Sequence, residues 1–329
     1  MNAVIRALIC SCLFLLGLSS SEAQEINPLN AMVDIDFSPD GTQIAGARYG
    51  GTVLVWNAAT GVITHSFSAH PEGATAAAWS PDGSKVASGG FDGLIKVWDL
   101  DSSTVSVLGS VGDTITGLEW LDPNLVVASG VFDTQVKIWD ADTGVLVNQY
   151  GGASYQMVAH ANGSGGKTAV HVNIGNAHIF DLATGSPIRN IPVPGGDVYG
   201  ASWNPTVSEL VTTGSDGVVR IWSVVNGTQR LAFTAHTTIV IAVDWSPNGA
   251  QIASLDRSGK VYIWDASNGQ ILNNFNTFSG TVAWSPDSQK LAYSAGNGSI
   301  VIVDPTPDNL LTNGTFATGA LAPWTTAAA

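Results

Sequence analysis

Two short patterns recur through the chain at one fixed separation, and any fold proposed for it has to accommodate them. The first is a turn led by an aromatic or its stand-in: FSPDG at 37–41, WSPDG at 79–83, WLDPN at 120–124, WNPTV at 203–207, WSPNG at 245–249 and WSPDS at 284–288. The second is a strand ending marked by Trp56, Trp98, Trp139, Phe180, Trp222, Trp264 and Val303. Six pairs keep the same interval between the two anchors: 37 and 56, 79 and 98, 120 and 139, 203 and 222, 245 and 264, 284 and 303. The endings themselves recur with a period of roughly 40 residues. Ten of the eleven tryptophans fall on these two registers, so their placement follows the repeat. Self-similarity at this period marks stacked supersecondary units, none of which can bury its apolar face alone.

One ending, Phe180, lacks a visible partner, and counting back by the common interval reaches Ala161. There the sequence reads ANGSGGKT, which mimics a phosphate-binding loop closed by Gly166, Lys167 and Thr168. Such a loop needs a helix after it, whose N-terminal N–H groups face the phosphate. Here the alignment lays ANGSGGKT on WSPDGSKV of 79–86, and TAVHV (168–172) follows as a strand. The stretch is therefore read as the hairpin turn of a degenerate repeat.

Each repeat parses into four short strands. In the second, TAAAWS (75–80) leads into Ser80-Pro81-Asp82-Gly83, where Pro at i+1 and Gly at i+3 suit a type I turn. KVASGG (85–90) and LIKVWD (94–99) are split by Phe91-Asp92-Gly93, with glycine supplying a positive φ at the corner. TVSVLG (104–109) completes the set. After residue 23 no sustained helical period occurs.

Repeats of this length with VWD (97–99), IWD (138–140), IWS (221–223) and IWD (263–265) endings resemble WD-repeat β-propellers over residues 30–305. The resemblance implies an all-β, seven-bladed β-propeller of four-stranded antiparallel blades around a channel. Each sequence repeat would begin at the outer strand of one blade and end at the third strand of the next. It also implies a hydrogen-bonded set of His, Ser/Thr, Asp and Trp, complete in the second repeat as His70, Ser88, Asp92 and Trp98. A buried indole N–H needs an acceptor, and such a chain of side chains supplies one. The third repeat keeps Ser129, Asp133 and Trp139, and the fifth Thr212, Asp216 and Trp222. The sixth keeps His236, Ser254 and Trp264, with Ser258 at the Asp place. In the family the last blade usually takes its outer strand from the N-terminus, here Glu25 to Asn30; Asn309 to Thr312 is the rival.

The resemblance further places the residue before the corner Asp on the narrower face, where partners dock. Tyr49, Phe91 and Phe132 put an aromatic there in three consecutive repeats, and Arg257 adds a guanidinium. These residue types dominate interface hot spots. The alternative for an aromatic at such a corner is packing into a neighbouring loop.

Other chemistry is sparse. A net charge of −14 and no cluster of Lys or Arg exclude nucleic acid and anionic membrane surfaces as partners. The N-terminus carries Arg6, an apolar run from Ala7 to Leu18, then Ser21 and Ala23 at −3 and −1 of a cleavage site. This is the layout of a secretory signal peptide, and the run is too short for a membrane span. Both cysteines, Cys10 and Cys12, lie inside it, so the exported chain has no thiol or disulfide. Among the histidines, His160, His171 and His178 share the degenerate repeat, where His171 and His178 could face each other across a hairpin. Strand positions facing solvent are the ordinary reading, and no metal is expected. Asp99/Asp101 and Asp140/Asp142 mimic calcium loops but lack the bidentate Glu, so they read as turn residues.

After 308 the tail reads NLLTNGTFATGALAPWTT. Asn313-Gly314, Phe316, Gly319 and Trp324 resemble the opening strand of jelly-roll carbohydrate-binding modules, with Ala317 departing from the pattern. The expected organisation is thus a signal peptide at 1–23, a seven-repeat propeller at 24–308 and a tail at 309–329. That tail is either unstructured or the start of a second β module.

The chain is expected to be a monomeric, non-catalytic, cofactor-free scaffold, secreted or periplasmic, that binds a protein or peptide through its narrow face. The alternatives are a secreted lactonase- or quinoprotein-like propeller enzyme, or the targeting domain of a longer carbohydrate-binding protein. The enzyme would need several carboxylates, His or Arg at the channel mouth, and the aligned repeats suggest no such ring.

Overall fold

The computed structural model describes residues 31–131, 135–151, 160–161, 168–277, 280–295, 298–305 and 314–316, and every regular element among them is a β-strand. The first sheet holds β1 (Met32–Phe37), β2 (Gln43–Arg48), β3 (Thr52–Asn57) and β4 (Ile63–Ser68). The second holds β5 (Ala74–Trp79), β6 (Lys85–Gly90), β7 (Leu94–Asp99) and β8 (Thr104–Ser110). The third holds β9 (Ile115–Asp122), β10 (Leu125–Gly130), β11 (Val136–Asp140) and β12 (Leu146–Tyr150). A six-stranded sheet follows: β13 (His160–Ala161), β14 (Thr168–Asp181), β15 (Pro187–Trp203), β16 (Glu209–Gly214), β17 (Val219–Ser223) and β18 (Gln229–Phe233). Then come β19 (Val240–Trp245), β20 (Gln251–Asp256), β21 (Lys260–Asp265) and β22 (Ile271–Asn276). The last sheet holds β23 (Val282–Trp284), β24 (Leu291–Ser294), β25 (Ile300–Val303) and β26 (Gly314–Phe316).

Burial is greatest in the second strand of a blade and least in the outermost. β2 and β6 are buried at their central positions on both faces, whereas β4 and β8 are mostly exposed. That gradient explains why the second strand of a repeat reads as a short apolar or small-residue run and the fourth as Ser, Thr and Val. Side chains from neighbouring sheets interlock: Ala45, Val53 and Val55 of the first sheet share a core with Trp79, Val86 and Trp98 of the second. Ile44 and Trp56 share another with Ala283, Ile300 and Ile302 of the last sheet, which closes the ring by packing. The innermost strands touch in the order β1, β5, β9, β13, β15, β19, β23 and back to β1.

The turns form as their residues dictate. Gly83 N–H donates to Ser80 O at 2.9 Å, while Asp82 accepts from Ser80 Oγ at 2.6 Å and Ser84 N–H at 3.1 Å. Gly93 takes φ +70°, and a Cβ there would lie 2.7 Å from Asp113 O, so both conformation and space demand glycine.

Two expectations are corrected. Seven separate four-stranded blades are not found among the described residues; there are five such blades and one six-stranded sheet. β15 pairs by its first half with β14, Asn176 opposite Pro192, and by its second half with β16, Trp203 opposite Leu210. It therefore serves the fourth repeat as outer strand and the fifth as inner strand without a break, running through Gly195 and Gly196 at φ +98° and +102°. Closure also differs: β26, from the tail, pairs with β25, Ile300 opposite Phe316, and occupies the edge expected for Glu25 to Asn30. Those residues and the signal segment at 1–23 lie outside the described ones.

The stretch 162–167 lies outside them too. The strands flanking it pair antiparallel, His160 opposite Val170, and a strand follows, as a hairpin requires. His171 and His178 stand on the one long strand β14 and do not face each other across a hairpin.

Candidate functional site

In the second blade four side chains form one chain of hydrogen bonds. His70 Nδ1 meets Asp92 Oδ1 at 2.8 Å and its Nε2 meets Ser88 Oγ at 3.0 Å. Trp98 Nε1 donates to the same hydroxyl at 2.9 Å. Ser88, at the centre of β6, and Trp98, on β7, lie on adjacent strands, while His70 comes from the link before β5. Burial lowers the His70 pKa, against the pull of Asp92, so the ring stays neutral. Phe67 of β4 stacks on Trp98 with centroids 4.4 Å apart.

The β19–β22 blade repeats the arrangement with one change. His236 Nε2 meets Ser254 Oγ at 2.8 Å, and Trp264 Nε1 donates to that hydroxyl at 3.2 Å. The carboxylate, however, is Asp256, 2.9 Å from His236 Nδ1, and Ser258 does not take its place. Ser258 donates to Asp256 Oδ1 at 2.6 Å instead. The Asp256 side chain is only 2% exposed. Burial alone would raise its pKa, but hydrogen bonds from His236, Ser258 and the Lys260 N–H hold it below the ordinary value. Phe233 stacks on Trp264 at 4.7 Å, and it precedes that tryptophan by the same interval as Phe67 precedes Trp98.

Elsewhere the network thins. Trp222 Nε1 donates to Thr212 Oγ1 at 2.8 Å, but Asp216 turns to Arg220, with oxygen and nitrogen 2.6 Å apart. Ser129 Oγ is buried without a partner, and Asp133 lies outside the described residues. In the first blade Gly46 stands to Trp56 as Ser88 stands to Trp98, so the hydroxyl is absent, and the Trp56 Nε1 is buried with no acceptor.

Of the corner residues, Tyr49 and Phe91 come together. Their rings meet edge to face, centroids 5.3 Å apart at 72°, across the first two blades. Both remain partly exposed. Phe91 also covers Gly73, where a Cβ would lie 2.5 Å from Cδ2, so part of its surface goes to packing. Arg257 holds the same corner of the β19–β22 blade, and the β23–β26 blade stands between that blade and the first in the order of the inner strands. Phe132 lies outside the described residues.

The channel holds what the repeat alignment missed. The inner strands enclose a cavity of about 370 Å³ lined by Asp34, Asp36, Glu119 and Asp244, so the expectation of no carboxylate ring there is corrected. Three of these reach the edge N–H groups of the next inner strand. Asp34 accepts from Ala77 N–H at 3.1 Å, Asp36 from Trp79 N–H at 2.8 Å, and Asp244 from Trp284 N–H at 2.8 Å. Ser202 Oγ does the same for Trp245 N–H at 3.1 Å. Asp36, Ser202 and Asp244 each stand immediately before the anchor aromatic, a signal present in DF, SW and DW pairs. The Asp36 carboxylate opens onto the cavity yet is ringed by protein. Burial, with Glu119, Asp34 and Asp244 nearby, pushes its pKa well above the ordinary value despite the Trp79 N–H.

Among the described residues no group of three or more His, Cys, Asp or Glu is placed to hold a metal ion. The turn aspartates are engaged locally: Asp99 accepts from Ser102 N–H at 2.8 Å and Asp140 from Thr143 N–H at 2.8 Å.

The WD domain, G-beta repeat family model matches residues 28–57, 61–99, 185–223 and 227–265. The chain is a WD-repeat β-propeller. Each of the last three matched segments runs from an outer strand through three strands of the following blade, for example β4 through β7. The WD tryptophans Trp98, Trp222 and Trp264 are the ones whose indoles find a Ser or Thr hydroxyl. No curated protein matches the chain in sequence. Among the described residues no helix is long and apolar enough to cross a membrane.

Proposed function

We propose that this WD-repeat propeller is an exported, non-catalytic scaffold that binds a protein or peptide at the corner formed by Tyr49 and Phe91. The observation that carries the reading is the edge-to-face pair itself, two aromatics at equivalent corners of adjacent blades, both left partly exposed. Aromatic anchors on short loops of a rigid scaffold suit interface hot spots. Export is read from the signal-peptide layout at 1–23. The channel carboxylates, which an enzyme on this architecture would use, are largely engaged in holding neighbouring strands together.

The test is cross-linking capture from the native exported fraction, using the wild type beside Phe91→Ser checked for unchanged melting. A partner kept by the wild type and lost by the variant supports docking at this corner. A partner retained equally by both moves the site elsewhere, and turnover of a lactone or alcohol substrate by the purified chain would replace the scaffold with the enzyme.

A further inference from the structure

The described residues that expose large aliphatic side chains are not scattered. All ten lie on the outermost strand of a blade or in the turn that leads into it. Five belong to two neighbouring blades: Val105 and Val107 on β8, and Val145, Leu146 and Val147 where β12 begins, each between 43% and 58% exposed. Among the described residues no other stretch exposes three large hydrophobics in a row, and such a run is out of place on a protein surface unless something covers it. The two groups adjoin. A Cβ at Gly144, just before Val145, would lie 3.6 Å from Leu108 O and 3.9 Å from Val107 O, so the turn of the third blade leans on β8. Both β8 and β12 stand at the edge of their sheets, and neither carries a charge or a proline, the residues that ordinarily guard a strand edge. From Thr104 to Val107, β8 pairs with β7 without a bulge, so this part of the edge is regular.

Charge gathers at one end of this surface. The turns that lead into β8 and β12 carry Asp99 and Asp101 on one blade, Asp140 and Asp142 on the next. The Ser102 hydroxyl holds the Asp99 carboxyl below the ordinary value, the Thr143 hydroxyl does the same for Asp140, and Lys85 adds to both. Lys85 also meets Asp142 at 2.7 Å. Two turns from adjacent blades thus converge on one amine, with four carboxylates to its single positive charge. An apolar surface that ends in surplus negative charge selects a partner whose aliphatic side chains are followed by Lys or Arg. It selects against a second copy of this chain, which carries a net charge of −14.

We propose that β8 and β12 form a second docking surface, for an extended segment of another protein that carries aliphatic side chains with lysine or arginine at one end. The segment lies along the β8 edge as an added strand, its aliphatic side chains on the exposed valines and its basic end at the two aspartate turns. Phe91 precedes β7 and Asp99 ends it, so this surface lies at the other end of the blade from the Tyr49–Phe91 corner. It does not depend on that corner being a docking site.

The test titrates the purified chain, labelled with ¹⁵N-valine, with two synthetic peptides. One has two lysines followed by alternating valine and threonine; the other has two glutamates in place of the lysines. The lysine peptide should shift the Val105, Val107 and Val147 amide signals and bind about tenfold more tightly than the glutamate peptide. Salt at about 0.5 M should remove most of that difference. Val107→Thr/Val147→Thr keeps strand-forming side chains at exposed positions, so it should melt within about 2 °C of the wild type and bind the lysine peptide about fivefold more weakly. Asp101→Asn/Asp142→Asn should lose most of the preference for the lysine peptide, and Phe91→Ser should bind it as the wild type does. Equal binding of the two peptides, an unchanged affinity in the valine variant, or no shift at these valines overturns the proposal. Binding lost in Phe91→Ser would place the peptide at the aromatic corner and overturns it too. Sedimentation velocity of the chain alone supplies the last arm: a dimer that the valine variant dissolves would mean that a second copy covers the surface, and the basic partner falls.

Discussion

The second blade and the β19–β22 blade solve one problem with different residues. Each buries an indole N–H and a histidine, and each must give the histidine Nδ1 a carboxylate. The second blade brings Asp92 in from the corner, where its side chain stays 16% exposed and also accepts from Leu94 N–H at 3.1 Å. The other blade brings Asp256 from the end of β20, 2% exposed, and surrounds it with the Ser258 hydroxyl and two backbone N–H groups. What the repeat constrains is an acceptor at the histidine, not a particular sequence position. The cost of losing the acceptor should therefore follow its dryness.

The largest effect should come from Asp256→Ala. It strands His236 in a dry site and removes the acceptor shared by the Ser258 hydroxyl and the Ser258 and Lys260 N–H groups, so a loss of about 3 kcal/mol is expected from urea denaturation. Asp92→Ala should cost about 1 kcal/mol, because water can replace a carboxylate at an open corner. Equal losses in the two variants would break the comparison.

Gly90→Ala sharpens it from the other side. The second blade cannot move its carboxylate to the position of Asp256, because a Cβ at Gly90 would meet Cγ of His70 at 2.4 Å, and that ring is fully buried. We expect Gly90→Ala to destabilise by about 2 kcal/mol through overpacking. A neutral result would mean the two layouts interconvert freely and that Asp256 reflects drift.

The fold is readable because aromatic anchors at one fixed separation leave few alternatives to the stacked-blade arrangement. The network of the second repeat is readable for the same reason: His70, Ser88, Asp92 and Trp98 sit at the family spacing. Asp256 is not, because a shift of two places along a strand end keeps the side chain beside the histidine while removing it from the expected column. The shared sheet of the fourth and fifth repeats is hidden because VPGGD (193–197) reads as a loop, although two glycines in positive φ let β15 continue through it. Closure by β26 is a pairing between segments of unlike composition, and no local pattern announces it. The channel carboxylates are present as residues beside the anchor aromatics and along the inner strands. Only the ring geometry, which turns those positions inward, puts Asp34, Asp36, Glu119 and Asp244 around one cavity.

Asp36 and Asp256 carry the comparison into pH, with opposite signs. Asp256 titrates below the ordinary value in the folded chain, so its stabilisation is complete above about 3.8 and is lost as pH falls through its lower folded value. Asp36 titrates above the ordinary value, so between about 3.8 and that raised value the folded chain holds a proton that the unfolded chain has released. Its contribution is most favourable at acid pH and declines as pH rises through that window. Asp36→Asn keeps an oxygen to accept the Trp79 N–H and removes the charge facing Glu119, Asp34 and Asp244. It should therefore melt roughly 2 °C higher than the wild type at neutral pH, the smallest effect expected here, and the difference should vanish towards pH 4. A melting series of the two proteins from pH 4 to 8 decides it. A gain that persists unchanged at pH 4 would mean the carboxylate is unfavourable for its shape and not for its charge. A loss at neutral pH would mean that the ionised Asp36 is needed to clasp β1 to β5.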